Sequence, residues 1–170
     1  MGIAVFGIAI FGIKEHAFQI RDYQPDDFPS LCEIDRMCFP EGIAYAPEEI
    51  ALALAQRGAF VCVAVVDESV VAFILAYQKK PLVGHVVTLD VQPDFRRQSI
   101  GHHLMERAEE RLRQRGAARV ILEVAVQNET AQRFYEKRGY LRQKLLRRYY
   151  ADRSDAYLME KDLSSGKQSQ

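Results

Sequence analysis

Three observations predict a mixed α/β domain. Two apolar, β-branched runs, Phe60 to Val66 and Val70 to Gln78, are joined by Asp67-Glu68-Ser69 and read as an antiparallel hairpin. From Gly84 to Gly139 the pattern alternates strand, helix, strand, helix, which calls for one right-handed crossover and a parallel strand pair. The 170 residues carry 23 Lys plus Arg against 23 Asp plus Glu, and 48% are hydrophobic. One domain with its own core follows from that length and composition. Abundant aromatic and branched apolar residues argue against a disordered main body, and the balanced charge argues against a broad nucleic-acid-binding surface, a local basic patch aside.

The elements follow in chain order. Met1 to Ile13 is an uncharged apolar run set apart as an extension of the domain, which spans about residues 14 to 163. It is shorter than the roughly 20 residues of a membrane span, has no positive n-region or cleavage site, and carries Phe6 where a myristoylation motif wants Ser or Thr. Stable membrane insertion is therefore not expected. An added strand or poorly ordered extension, a misplaced start, and a membrane-proximal or self-association role stay open for it. Ala17 to Arg21 reads as a strand. Pro25-Asp26-Asp27 starts a helix along Phe28, Leu31, Ile34 and Cys38, which Phe39-Pro40-Glu41-Gly42 ends. Pro47, Glu48 and Glu49 open a second helix running to Gly58.

After the hairpin, Gly84 to Val91 is a strand stopped by Pro93. A long helix from Ser99 then sets Ile100, Leu104, Ala108 and Leu112 on one face and Glu106, Glu109, Glu110, Arg113 and Arg115 mostly on the other. Gly116 closes it. Ala118 to Val126 is a central strand, Asn128 caps a short helix carrying Phe134 and Tyr135, and Tyr140 to Arg147 and Ala156 to Asp162 are late strands. The polar tail, residues 164–170, is expected to be disordered.

Cys32, Cys38 and Cys62 form neither an even disulfide framework nor a C-x-x-C pair, and the only clustered histidines are His102-His103. No metal site is expected, and the thiols read as reduced, which fits a cytoplasmic protein.

The chemistry concentrates in two segments. In VQPDFRRQSIGHHLM, Val91 to Met105, a strand ends, Arg96 and Arg97 follow, and a helix begins at Ser99 to Gly101. Such a turn presents backbone N–H groups and the positive end of a helix to an anion, so a phosphate-bearing ligand is expected. It is neither a Walker loop nor a dinucleotide fingerprint. In LEVAVQNETAQRFYEKRGY, Leu122 to Tyr140, Glu123 places a carboxylate in an otherwise hydrophobic strand, suited to a general base, and Tyr135 projects from the following helix. The bland alternatives are a rim carboxylate paired with an arginine and a core aromatic.

Arg96-Arg97-Gln98-Ser99-Ile100-Gly101 resembles the acetyl-CoA signature of the GNAT superfamily of N-acetyltransferases, with Ser99 in place of the usual glycine. Within it, Phe39-Pro40, Glu123-Val124 with Asn128, Ala131 and Tyr135, and Tyr149-Tyr150-Ala151-Asp152 through Asp155-Ala156-Tyr157-Leu158-Met159 are similar to the RimI-type protein N-terminal acetyltransferases. Ala125 departs from the arginine many of these carry. The resemblance implies a GNAT fold: a central, mostly antiparallel twisted sheet, flanked by helices, in which a parallel strand pair splays to admit acetyl-CoA. It implies that Leu89, Asp90 and Val91 contact the pantetheine, that Arg96, Arg97, Gln98, Ser99, Ile100 and Gly101 hold the pyrophosphate, and that Asn128 touches the cofactor arm. It further implies Glu123 as base and Tyr135 as acid.

His85 lies where some relatives place an aromatic base; a catalytic or water-relay role and a surface or structural one both remain open. Phe39, Pro40, Tyr45, Tyr149 and Tyr150 are the candidate walls for the substrate's first residues. The expected activity is direct acetyl transfer to the free α-amine of a protein N-terminus, with ribosomal protein S18 as a possible target and a monomer or homodimer as the working unit. Acetylation of lysine, a polyamine or another small amine, and a non-catalytic acetyl-CoA-binding module, are the alternatives.

Overall fold

The structure is a computed structural model that describes residues 17–164. The apolar run at residues 1–13 and the tail from residue 165 lie outside the described residues. In chain order the elements are β1 (Gln19–Asp22), α1 (Phe28–Cys38), α2 (Pro47–Leu54), β2 (Phe60–Val66), β3 (Ser69–Lys80), β4 (Val83–Val91), α3 (Ile100–Gln114), β5 (Arg119–Ala125), α4 (Glu129–Lys137), β6 (Leu141–Leu146) and β7 (Ala156–Asp162).

The strands form one sheet in the order β1-β2-β3-β4-β5-β7-β6. Every neighbouring pair is antiparallel except β4 and β5, joined through α3 as the expected crossover. This is the mixed α/β architecture the sequence predicts. The later strand β7 takes the place beside β5, and β6 becomes the edge. Its exposed Arg142 and Lys144 suit that position, because charge on an edge strand discourages pairing with another chain.

Helices cover both faces of the sheet, which is why β2 and β3 read as continuous apolar runs rather than alternating ones. Cys62, Ala64, Ala72, Ile74 and Ala76 pack with α3 residues Leu104, Ala108 and Leu112 on one face. Val61, Val63, Phe73 and Leu75 pack with Leu31 and Ile34 of α1 and Ile50 of α2 on the other. The α3 contact is close: a Cβ added at Gly84 would stand 2.6 Å from Leu112 Cδ1. A glycine is therefore needed there for helix and strand to meet.

Three boundaries or faces differ from the sequence expectation. The first strand starts at Gln19 and extends to Asp22, following its pairing with β2 from Val65 back to Cys62. The second helix ends at Leu54, after which turns from Gln56 to Ala53 and from Ala59 to Gln56 lead into β2. Glu109, expected on the polar face of α3, is buried, because it falls one turn after Met105 on the apolar stripe and meets partners from beyond β5.

Candidate active site

The site begins where the sheet opens. β4 and β5 pair only through Val83 with Arg119, Gly84 with Val120 and His85 with Ile121, and then run on unpaired to Val91 and Ala125. At the point of separation Ala76 faces Val86 while Leu75 faces Thr88, so Val87 is an extra residue in β4. A bulge of this kind bends its strand and interrupts the ladder. The wedge between the strands holds a cavity of about 300 Å³, lined by Val86 to Leu89 on one side and Leu122 to Ala125 on the other. Alternate backbone groups along the freed edge of β4 are thereby released from sheet pairing.

One end of the wedge meets the start of α3. Arg97 and Ser99 both take left-handed backbone conformations, each with φ 62°. Ser99 is the N-cap residue and makes no side-chain cap; the first helical N–H bond is His103 to Ser99 O at 3.1 Å. The N–H groups of Ile100, Gly101 and His102 are thus left as the donors every helix start presents. A Cβ at Gly101 would meet Val91 Cγ2 and Phe134 Cζ at 3.7 Å and Leu89 Cδ2 at 3.8 Å. The fold's own packing does not require glycine at this position, which instead leaves a cradle that a side chain would fill. Anion-binding geometry and open space together fit a pyrophosphate held by backbone donors.

At the other end stands Glu123, whose Oε2 lies 2.6 Å from His85 Nε2, while His85 Nδ1 lies 3.1 Å from the Tyr77 hydroxyl. Both partners in the first contact are nearly enclosed, with side chains 10% and 11% exposed. Burial, followed by the charge of the nearby Glu123 carboxylate, pushes Tyr149 up to about 12. Burial likewise raises Tyr45 and Tyr150, so the phenols around the cavity keep their protons at neutral pH. Tyr135, from α4, lines the same cavity and is raised by burial and then by the charge of Asp90. Asn128 Oδ1 caps α4 by accepting from Ala131 N at 3.1 Å, and Gln132 Nε2 ties the helix to Ala125 O and Val126 O at 2.9 and 2.7 Å.

Residues 28–140 match the model of the Acetyltransferase (GNAT) family. The chain belongs to the GNAT family. It is an acetyl-CoA-dependent acyltransferase. This GNAT chain is similar to an N-alpha-acetyltransferase of Saccharolobus solfataricus, 34% identical over 162 residues that cover 88% of this chain and 96% of the relative. The crystal structure of Ard1 from Thermoplasma volcanium is 30% identical with a TM-score of 0.79, over 86% of this chain and 97% of that one. The ribosomal-protein-S18-alanine N-acetyltransferase of Escherichia coli shares the fold, with a TM-score of 0.77 at 24% identity over 91% and 99% of the two chains.

The GNAT cavity gathers Glu123, Tyr135, Leu89 and Asn128 with the expected walls Phe39, Pro40, Tyr45, Tyr149 and Tyr150. His85 stands behind Glu123 rather than at the surface. The remaining cofactor candidates divide their work. The Val91 carbonyl is taken by Arg96 Nε at 2.9 Å and Cys38 Sγ at 3.3 Å, so Arg96 fastens its loop to the end of β4. Gln98 Nε2 closes the loop onto Asp94 O at 3.2 Å. Ile100 turns its side chain into the core, and Asp90 points away from the cavity into a fully buried site, so backbone is what these two offer a ligand. Sequence reasoning missed Tyr77, Val87 and Asp35. Asp35 could have been found, because it lies one helical turn after Leu31 on the buried stripe of α1. Among the described residues no group of three or more His, Cys, Asp or Glu side chains could hold a metal ion. None of the described helices is long and apolar enough to cross a membrane.

Proposed function

We propose that this acetyltransferase moves acetyl from acetyl-CoA directly to the free α-amine of a protein N-terminus, as a RimI-like enzyme of the cytoplasm. The observation that carries the reading is the enclosed Glu123 carboxylate at the tyrosine-walled end of the splay, bonded to His85. An α-amine has a reference pKa of about 7.7 to 8.0, so a large protonated fraction must lose a proton before attack. Glu123 takes that proton directly or through one water, and the His85–Tyr77 chain orients its carboxylate.

Acetyl-CoA, when bound, supplies the thioester. The chain supplies everything around it. Backbone N–H groups at Ile100 to His102 hold the pyrophosphate, and a freed N–H of β4 near Leu89 or Asp90 receives the developing oxyanion. Tyr135 gives its proton to the departing thiolate. Phe39, Pro40, Tyr45, Tyr149 and Tyr150 leave a narrow entrance that suits an extended terminus better than a lysine in mid-chain. The likeness to the N-alpha-acetyltransferase of Saccharolobus solfataricus supports an α-amine acceptor.

The test is an acetylation assay over free N-terminal peptides, including the alanine terminus of ribosomal protein S18, beside blocked-terminus lysine peptides and a polyamine. Mass spectrometry then locates the acetyl group. Acetyl on α-amines is the expected result; acetyl only on lysine or the polyamine would overturn the reading. Acetyl-CoA binding with no transfer to any amine would leave a binding module.

A further inference from the structure

Two buried carboxyl groups have no part in the chemistry above. Asp35 of α1 and Asp90 of β4 are both 0% exposed. Asp35 Oδ2 accepts the Tyr45 N–H at 2.7 Å, and Asp90 Oδ1 accepts the Thr88 hydroxyl. The second oxygen of each, Asp35 Oδ1 and Asp90 Oδ2, is buried with no hydrogen-bond donor among the described residues. α1 packs on β4, and each carboxyl is close enough to shift the other's hold on its proton. Two carboxylates in such a place repel strongly, and two orphaned acceptors are costly to bury. A single proton between Asp35 Oδ1 and Asp90 Oδ2 removes both penalties, because it turns the pair of orphans into one O–H···O bond.

The pair sits at a junction of the site. Asp35 holds the backbone of Tyr45, whose ring lines the cavity, and the loop between α1 and α2 also contributes Phe39, Pro40 and Ile43. Asp90 follows Leu89, whose side of the cavity receives the acetyl group in the proposed function. We propose that Asp35 and Asp90 are positioning residues that share one proton, and that this bond fastens the acceptor-side loop, residues 39–46, to the acyl-side strand β4. The proposal rests on the reading of that loop as the wall for the incoming amine.

The surroundings favour the protonated pair. Burial pushes Asp35 up to about 6, helped by Glu49 of α2 and opposed by the Tyr45 N–H and the bond to Asp90. Burial and the charge of Asp35 raise Asp90 well above the carboxylate range, opposed by Thr88 and by Arg96 of the following loop. Cys38 of α1 and Tyr135 of α4 also feel the charge of Asp90. Because both groups are raised, the clamp is present at low pH and is lost as pH climbs through the folded-state values. Loss of the last shared proton leaves two buried anions across the α1–β4 contact, and the loop then separates from the strand.

Two measurements on the full chain test this. Infrared spectra at neutral pH should show a protonated-carboxyl stretch that Asp90→Asn abolishes, and its absence from the unsubstituted protein would overturn the shared proton. That measurement needs no acceptor, so it stands even if the α-amine reading fails in the peptide assay. In steady-state kinetics, Asp35→Ala should raise the peptide KM about tenfold and leave the acetyl-CoA KM within about twofold. The amide of Asp35→Asn can accept from Tyr45 N–H and donate to Asp90 without a shared proton, so it should rescue the peptide KM. The ratio of kcat/KM for the unsubstituted protein over Asp35→Asn cancels the titration of the substrate amine and should fall as pH climbs above about 6. A flat ratio, or an equal rise in both KM values for Asp35→Ala, would overturn the clamp. If Asp35→Ala does not fold, the ratio and the infrared band decide.

Discussion

Glu109 and Glu123 are both withdrawn from water, and the fold balances them in opposite ways. Glu109, with its side chain 6% exposed, receives Lys161 Nζ at 2.7 Å, Arg138 Nη2 at 3.3 Å and the Tyr140 hydroxyl at 3.1 Å. Its charge is met by two cations, so nothing is left for it to exchange. Glu123 has no Lys or Arg ion pair among the described residues; it is bonded to an imidazole and shares its cavity with the Tyr149 phenol, groups that can pass a proton onward. A carboxylate matched by cations ties α3 to β7 and the turn after α4. A carboxylate matched by proton carriers, at the mouth of a cavity, is equipped for acid–base work.

The sharpest way to break that comparison is to neutralise Glu123. Glu123→Gln keeps the size and removes the base, so kcat/KM should fall about 10² to 10⁴-fold and recover partly at high pH, where solvent supplies free amine. Tyr135→Phe keeps the packing and removes the proton donor, so its loss, of similar size, should persist at high pH. The measurement is kcat/KM against pH for both variants on one peptide, after acetyl-CoA affinity has been confirmed. A Glu123→Gln profile identical to that of the unsubstituted protein would move the base role to His85 or an ordered water.

Glu109 should respond in the other currency. Removing it strands Arg138 and Lys161 against a buried wall, and breaking a buried ion pair from one side is typically worth about 3 to 5 kcal/mol of stability. Urea unfolding of Glu109→Ala should show a loss of that order, while kcat/KM of the folded fraction stays within about threefold, since no Glu109 partner lines the cavity. A stable variant with lost turnover would erase the distinction between the two acids.

The contrast between these acids also explains what the sequence made legible. Apolar β-branched runs and period-3.6 patterns placed the described strands and helices within a few residues, because burial is written into the local sequence. Glu123 stood out as a carboxylate inside an apolar strand. What stayed hidden depends on register between distant segments. The bulge at Val87 exists only relative to β3, and the approach of Tyr77 to His85 only through cross-strand pairing. Glu109 looked like one more charge on a charged helix until Arg138, Tyr140 and Lys161 met around it. Asp35 and Asp90 are 55 positions apart in sequence by their numbering, and no local pattern brings them together.

The proposed cofactor end offers a smaller perturbation, because there the reading relies on backbone donors rather than on charge. Gly101→Val fills the cradle beside Leu89, Val91 and Phe134, where a first substituent finds ordinary contact distances. The variant should therefore fold, and calorimetry should show acetyl-CoA affinity reduced by at least about tenfold, about 1.4 kcal/mol. Unchanged affinity in the folded variant would remove the helix start from the cofactor site.

The smallest effect belongs to Ser99, and it separates strain from binding. Its φ of 62° and ψ of 2° lie in the left-handed region, where an L-residue is about 1 to 2 kcal/mol less favourable. Glycine tolerates that conformation, which gives the family's preference at this position a backbone cause. Ser99 makes no side-chain cap, so its hydroxyl is not holding the helix start. Ser99→Gly should then relieve strain while losing about 0.5 to 1 kcal/mol to the greater freedom of the unfolded chain, for a net gain of up to about 1 kcal/mol in urea unfolding. Ser99→Ala keeps the strained φ and should leave stability within about 0.5 kcal/mol. Both variants retain the backbone N–H groups of the helix start, so acetyl-CoA affinity should move by less than about tenfold in either. A gain of several hundredfold on Ser99→Gly would mean instead that serine distorts the loop away from its binding shape, and that the chain as it stands is a weakened cofactor site whose enclosed Glu123 works below its capacity.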